Sequence, residues 1–345
     1  MSANSLDTRR LLIFLGFAFG LAWLTALVLA LNGGLANSPE ILPGIPLAVV
    51  LVAGPYMWAP ALAHLLTRLI TREGWRDTGL RPVLAGWPYW LAAWVLPGLL
   101  TVAGLVVYFG LFPQHFDPTL GLLRDLLAQS GQAGLIDPWA VVALQIGQAI
   151  LIAPLINSVF TFGEEFGWRA YLQPKLMALG PRRAMLLMGL IWGVWHWPVI
   201  VMGHNYGLDY PGAPWLGPLA MVWFTFVCGT VLGWLTVRGG SVWPAVIGHA
   251  AINGIAGLGA LFIQGEPNPV LGPLPVGVIG GLPWALLTLG LLLVPAVWRA
   301  RTPPTAGQVS PAPAPAPALG APPAEPASRP APTRPEQLDD SRYTH

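Results

Sequence analysis

Four polar side chains lie in segments of the sequence that are otherwise almost entirely apolar. They are Glu164 at the end of one apolar run, His196 within the next, and His249 with Asn253 in a third. Ionisable groups at apolar depth are costly in a membrane and by default mark functional sites. A carboxylate, two imidazoles and an amide are too many costly groups for helix packing alone.

These four groups could hydrolyse a peptide bond. A glutamate in a partly desolvated pocket is a stronger base than an exposed one and can activate water. A histidine can share the proton or donate to the developing oxyanion, and an amide can also donate to it. Alternatively, Glu164, His196 and His249 could bind Zn²⁺ and leave its fourth position open. No cofactor is firmly predicted, and metal-free catalysis is favoured because the apolar surroundings offer few second acceptors for metal-bound histidines.

The spacing of neighbouring polar residues assigns supporting roles. Glu165 and Arg169 are four residues apart, so they share a helical face and can pair, which leaves Glu164 free to point elsewhere. His249 and Asn253 are also four apart and share a face. His204, in the loop after the fifth apolar run, is interpreted as background.

Composition places these residues in a membrane protein. Of 345 residues, 54% are hydrophobic and 9% are charged, whereas soluble domains carry roughly 25% charged residues. The net charge of +2 does not suggest a nucleic-acid partner. The single cysteine, Cys228, excludes an internal disulfide and is interpreted as an apolar filler.

The apolar runs predict an all-α bundle of about eight transmembrane helices, since a helix needs roughly 20 apolar residues to span the bilayer. The predicted spans lie near 11–32, 46–67, 87–112, 139–163, 183–203, 216–237, 242–263 and 276–298. Residues 1–301 form the predicted membrane domain. The Pro- and Ala-rich segment 302–345 is predicted to be a disordered tail, because it has too few bulky apolar residues to form a core.

Loop charges predict the orientation of this bundle in the cell membrane. Thirteen basic residues fall in one set of loops and only Arg124 in the other. Positive loops face the cytoplasm, so both termini are expected there. The larger set is Arg9, Arg10, Arg68, Arg72, Arg76, Arg81, Arg169, Lys175, Arg182, Arg183, Arg238, Arg299 and Arg301.

Three motifs together resemble those of the CPBP intramembrane protease family, which contains the type II CAAX prenyl proteases and bacterial Abi proteins. The segment "EEFGWRAYLQPKL" (164–176) resembles its Glu-Glu-x-x-x-Arg motif. The segment "WGVWHWP" (192–198) resembles its aromatic-x-x-x-His motif, with Trp192 where Phe is often found. The segment "HAAIN" (249–253) resembles its His-x-x-x-Asn motif. The resemblance covers about residues 139–260.

This resemblance implies a membrane-embedded endopeptidase acting on a membrane-associated protein or peptide. Glu164 would activate water with His196 as its partner, His249 and Asn253 would stabilise the oxyanion, and Glu165 and Arg169 would support them. The alternative is a non-catalytic binding or regulatory membrane protein on the same scaffold, which has no need to keep all four polar groups.

One geometric requirement follows from the predicted spans. Glu164 would lie near the cytoplasmic surface, whereas His196 lies roughly 20 Å along its helix from Arg183. The two meet only if the fifth helix begins in the cytosol or if the fourth is broken near Pro154. In either case, a cavity open to the cytoplasm is expected.

The loop charges lead to a topology test. A reporter domain fused after Arg301 should be found in the cytoplasm, because the even span count returns the chain to the positive side. Protease protection in intact cells measures this. A reporter found outside would mean an odd span count and would reverse the site's predicted orientation.

Overall fold

The computed structural model describes residues 6–299 as a bundle of apolar helices, which confirms the predicted all-α membrane fold. The helices are α1 Thr8–Leu31, α2 Leu47–Leu51, α3 Met57–Thr71, α4 Trp87–Leu111, α5 Gly121–Gln129, α6 Pro138–Leu151, α7 Ala153–Gly167, α8 Gln173–Leu176, α9 Pro181–Val201, α10 Leu216–Gly239, α11 Trp243–Ile255 and α12 Leu282–Leu293. A hairpin of β1 (Glu40–Leu42) and β2 (Ile45–Pro46) lies between α1 and α2. The predicted disordered tail lies outside the described residues.

The number of spans is close to the predicted eight. Among residues 6–299, six helical stretches are long and apolar enough to cross a membrane, and a bent pair of helices makes a seventh if it forms one span. The eighth prediction, 276–298, is only partly realised by α12, which has 12 residues. The segment before α12 is rich in Pro and Gly, which remove backbone donors and favour turns. The protein is a multi-pass membrane protein.

The fourth span is bent and longer than predicted. α6 and the stretch Ala153–Leu179 meet at an angle of 52°, next to Pro154, whose ring removes a backbone donor at the start of α7. α7 continues through a π-helical turn, Trp168–Leu172, into α8. The predicted end near residue 163 was therefore wrong. Glu164 and Glu165 do not end the helix because each has a buried hydrogen-bond partner.

Side-chain contacts hold together the end of the bundle that we call the basic end. There Arg10 at the start of α1 binds Thr71 at the end of α3, with an Nε–Oγ1 distance of 3.3 Å. Arg238 at the end of α10 binds the Tyr89 hydroxyl near the start of α4, at 2.9 Å from Nε. Neighbouring helices therefore run in opposite directions. Twelve of the 13 described Lys and Arg residues lie on helices or loops of this end or on the α7–α8 stretch leading to it, and Arg124 is the exception.

Glu73 is the central carboxylate of the basic end. Its Oε1 accepts from the Lys175 ammonium at 2.7 Å, and its Oε2 accepts from the Tyr171 hydroxyl at 3.0 Å. Burial disfavours the ionised form of Glu73, but the hydrogen bonds from Lys175 and Tyr171 and the charges of Lys175 and Arg68 together hold the pKa of this carboxyl below its usual value. The contact joins the loop after α3 to α8.

The opposite end, which we call the acidic end, contains the loops after α1, α4, α9 and α11. Among residues 6–299 these loops carry six carboxylates and one basic residue, Arg124. The carboxylates are Glu40, Asp117, Asp125, Asp137, Asp209 and Glu266. Charge therefore distinguishes the two ends of the described bundle clearly.

Two glycines allow α7 to pack directly on α3. Gly163 and Gly167 are four residues apart and lie on one helical face. A Cβ at Gly163 would lie 2.7 Å from the Met57 carbonyl oxygen, and one at Gly167 would lie 2.5 Å from the carbonyl atoms of Pro60. These are backbone atoms that cannot move aside cheaply, so the two helices approach closely only because both residues lack side chains.

We expect Gly167→Ala to destabilise the bundle by about 1–3 kcal/mol, the usual cost of overpacking a close contact. Thermal unfolding of purified protein in detergent measures the change.

Gly98→Ala is the matched control, because a Cβ at Gly98 in α4 meets nothing within 4 Å. It should be neutral or stabilising, since alanine is the better helix former. Equal melting temperatures for the two variants would contradict the close packing of α7 on α3.

Candidate active site

The turn at Gly180 brings Glu164 and His196 to similar depth. Glu164 lies 16 residues before Gly180 and His196 lies 16 residues after it. Both helical stretches rise about 1.5 Å per residue, so each residue lies roughly 24 Å along its helix from the turn. The break near Pro154 is present, as one of the two predicted routes to their meeting required. The fifth helix does not need to extend into the cytosol.

Glu164 is buried, with 3% of its surface exposed. The indole N–H of Trp192 donates to its Oε2 at 2.7 Å. This bond fixes the carboxylate against α9 and leaves the other oxygen, Oε1, for a water or substrate group.

Glu165 and Arg169 form an ion pair in which both side chains are fully buried. The Arg169 Nη1 donates to Glu165 Oε1 at 2.8 Å, and the same oxygen accepts from His249 Nδ1 at 2.8 Å. A carboxylate can only accept here, so Nδ1 of His249 carries a proton. Its Nε2 is then the ring nitrogen left to act on another group. The guanidinium of Arg169 also lies 4.2 Å from the centre of a Trp192 ring.

His196 has a defined tautomer when neutral. Its Nδ1 lies 2.8 Å from the carbonyl oxygen of Trp192, one turn earlier in α9. Because a carbonyl only accepts, Nδ1 carries the proton, and the lone pair is on Nε2. Nε2 of His196 can therefore accept a proton. The free ring nitrogen of His249 is also Nε2, because its Nδ1 binds Glu165.

One cavity of about 340 Å³ brings all four predicted catalytic residues together. Glu164, His196, His249 and Asn253 line it, and apolar side chains form most of the remaining wall. Glu164 and His249 are buried, whereas Asn253 is exposed. The other lining residues include Val52, Tyr56, Met57, Trp192, Trp195, Val199, His204, Asn205, Met221, Phe224, Cys228, Ile252, Ala256 and Val276.

The wall of this cavity includes residues of the acidic end. His204, Asn205 and Val276 belong to loops of the acidic end. Met221 and Phe224 lie in the first half of α10, which begins at that same end. Glu164 does not lie at the end of its helix, where the predicted span placed it, because that helix continues to Leu179.

Residues 139–255 match the family described as type II CAAX prenyl endopeptidase Rce1-like. This segment is an Rce1-like domain. A CAAX prenyl protease 2 of Methanococcus maripaludis is 29% identical to the chain over 107 residues. That match covers 30% of this chain and 38% of the relative's length. The predicted resemblance to the CPBP family is confirmed.

The Rce1-like domain runs from α6 to α11 and contains all six residues singled out from the sequence. It lacks Val52, Tyr56 and Met57, which line the cavity from the bend between α2 and α3. The first helices therefore contribute to the wall of the cavity.

Sequence reasoning missed three contributors to this site. The sequence identified Trp192 only as the aromatic residue of its motif, yet its indole donates to Glu164. His204 was interpreted as background, yet it lines the cavity with Asn205. The only sequence signal was that Trp192 stands where the family often has Phe, which has no N–H to donate.

The site residues do not fit a three-ligand zinc centre. Across residues 6–299, no three His, Cys, Asp or Glu side chains are arranged so that they could hold a metal ion. The hydrogen bonds of these side chains leave Glu164 Oε1 and both histidine Nε2 atoms free, so it is the arrangement of the three side chains, and not their bonding, that departs from a metal site. The chemistry below therefore assigns no step to a metal.

The buried ion pair gives a stability prediction. Arg169→Leu should destabilise the protein by roughly 3–5 kcal/mol, because it leaves a buried carboxylate without its cation. Thermal unfolding in detergent measures this.

The double variant Glu165→Gln with Arg169→Leu is the control, since it removes both charges. It should recover part of the lost stability, because no uncompensated buried charge remains. If the double variant were as unstable as Arg169→Leu alone, packing of the arginine stem rather than charge pairing would explain the loss.

Proposed function

We propose that this protein is an intramembrane endopeptidase that hydrolyses a peptide bond of a membrane-associated protein or peptide, with both termini in the cytoplasm of the cell. The observation that carries the proposal is the single cavity lined by Glu164, His196, His249 and Asn253. Rce1-like residues 139–255 support the reaction class. The match covers only 38% of the relative's length, so the relative's activity does not by itself establish that of this chain. The activity of the whole chain is therefore proposed.

Glu164 is the general base in this mechanism. Trp192 holds Oε2, and Oε1 takes a proton from a water whose oxygen attacks the substrate carbonyl carbon. Apolar side chains form most of the cavity wall, so few other waters compete for the Glu164 carboxylate. Its ionised form therefore takes the proton from the water that it holds.

The other polar residues act on the charge that develops. When His249 carries both ring protons, Glu165 holds the one on Nδ1 and the Nε2–H donates to the oxyanion. The Asn253 amide, one turn further along α11, is the second donor. Collapse of the intermediate breaks the C–N bond, and the leaving amine takes the proton held by Glu164. The Nε2 lone pair of His196 can hold this proton during the transfer.

Three substitutions test the mechanism. Glu164→Gln, His196→Ala and His249→Ala should each lower turnover by at least ~10²-fold, the scale for losing a general base or an oxyanion donor. Purified protein in detergent and a panel of internally quenched peptides provide the assay.

Glu266→Gln is the matched control, because Glu266 is exposed in an acidic-end loop and does not line the cavity. It should retain full activity. Near-normal cleavage by Glu164→Gln would eliminate the proposed base, and activity lost to a chelator and restored by zinc would reject the metal-free mechanism.

A further inference from the structure

We propose that His64, in the middle of α3, is a positioning residue for the proposed active site. It lies outside the Rce1-like residues 139–255 and binds the backbone of α7 next to Glu164 and Glu165. The inference rests on the proposed function, because the groups that His64 positions are the proposed base and its neighbour. The contacts that carry it do not depend on catalysis.

Both ring nitrogens of His64 are bound inside the protein. The residue is fully buried. Its Nδ1 lies 2.8 Å from the carbonyl oxygen of Phe166 in α7. On the other side of the ring, Arg68 Nε donates to Nε2 at 2.6 Å. The imidazole therefore joins an arginine of its own helix to the backbone of α7.

The two partners of His64 assign the same tautomer. A guanidinium can only donate, so Nε2 must accept and carries no proton. The Phe166 carbonyl can only accept, so Nδ1 must carry the proton. His64 is therefore neutral and donates to α7, since a doubly protonated ring would have no acceptor for Arg68.

The loop after α3 holds Arg68 so that it can orient the ring. Arg68 Nη1 donates to Asp77 Oδ1 at 3.0 Å and to the carbonyl oxygen of Gly74. Arg68 is buried, whereas the Asp77 side chain is exposed. The charge of the guanidinium is thus paired at the loop, and Nε remains for His64. A chain of contacts runs from this loop through Arg68 and His64 to Phe166.

His64 meets α7 where that helix changes type. α7 is α-helical to Gly167, and the π-helical turn Trp168–Leu172 follows. The His64 ring packs on Phe166 before this junction, with ring centres 4.3 Å apart, and on Tyr171 after it, at 4.6 Å. Hydrogen bonds in a π turn span five residues instead of four, so the regular ladder changes at the junction. A donor from α3 fixes the last α-helical turn there.

This turn carries Glu164 and Glu165, so its position matters for the site. Both carboxylates bind their partners at 2.7 or 2.8 Å, and a small shift of α7 would lengthen these bonds. A misplacement of 1 Å caused by a mutation far from the chemistry can cost about 10²-fold in rate. A substitution of His64 can therefore lower turnover, although His64 does not line the cavity.

A purely structural role for His64 makes a different prediction. In that role the ring only fills space and satisfies its own buried nitrogens, so activity would fall together with stability. In the positioning role the donor at Nδ1 is the essential group. Asparagine can place an amide N–H near the position of Nδ1, whereas glutamine extends to the position of Nε2 and can bind Arg68 instead. The two amides therefore separate the two roles.

The test compares His64→Asn, His64→Gln and His64→Leu in the full chain. kcat and KM are measured in detergent with the internally quenched peptide that the wild-type protein cleaves fastest. His64→Gln and His64→Leu should lower kcat about 10- to 100-fold with KM unchanged, because the donor to Phe166 is lost and α7 shifts. His64→Asn should recover most of the wild-type kcat.

Thr67→Val is the matched control. Thr67 is also fully buried in α3, but its hydroxyl donates to the Ala63 carbonyl of the same helix, at 2.6 Å. This variant loses a buried hydrogen bond without touching α7 and should keep kcat. Activity is measured well below the lowest melting temperature of the set. An equal loss of kcat in Thr67→Val, a loss in His64→Asn as large as in His64→Leu, or a rise in KM alone would overturn the inference.

Hydrogen exchange provides a readout that is independent of activity. Mass spectrometry follows amide exchange in residues 160–172. His64→Gln and His64→Leu should speed this exchange, and His64→Asn and Thr67→Val should keep the wild-type rate. Wild-type exchange in His64→Leu would overturn the inference.

The two readouts also separate this inference from the proposed function. If the wild-type protein cleaved no peptide, the proposed function would fail, and exchange alone would decide whether His64 holds α7. If His64→Leu did not fold, the comparison of His64→Asn with His64→Gln would decide in the same way.

Discussion

Glu165 and Arg169 bind one another at 2.8 Å with both side chains removed from solvent. Two buried charges are costly, and the pair persists only if its geometry and further contacts offset that cost. The further contacts are His249 on the carboxylate and the Trp192 ring beside the guanidinium. The pair thus links α7 to α9 and α11, the three elements that carry the proposed catalytic groups. The pair positions His249 directly and bears on Glu164 through Trp192, whose ring lies beside Arg169 and whose indole binds Glu164.

The pair, together with the Trp192–Glu164 hydrogen bond, also explains why α7 does not end at Glu164 and Glu165. Each carboxylate has a partner within hydrogen-bond distance, so neither needs water at a helix end. The helix runs on through a π-helical turn at Trp168–Leu172, a type of turn that is frequent at functional sites. The chain after Glu164 therefore continues as buried helix toward the basic end.

Much of this arrangement could be predicted from the sequence. Apolar run lengths indicated the spans, and residue types at apolar depth indicated Glu164, His196, His249 and Asn253, which line one cavity. The end of α7 could not be predicted, because two adjacent glutamates suggest a membrane surface unless their partners are known. The partner of Glu164 is Trp192 on α9. The partner of Glu165 is Arg169, four residues further along the chain. Only the second of these pairings is local enough to be seen in sequence spacing.

Trp192 shows why the remaining geometry needed the structure. Its N–H binds Glu164, its ring lies beside Arg169 and 5.3 Å from the His249 ring, and its carbonyl binds His196. One residue therefore contacts the proposed base, both histidines and the buried cation. A phenylalanine would keep the ring contacts and the carbonyl but would leave Glu164 Oε2 without its donor. The indole packs on the buried ion pair and also orients the carboxylate of the proposed base, and neither contact follows from an aromatic-x-x-x-His pattern alone.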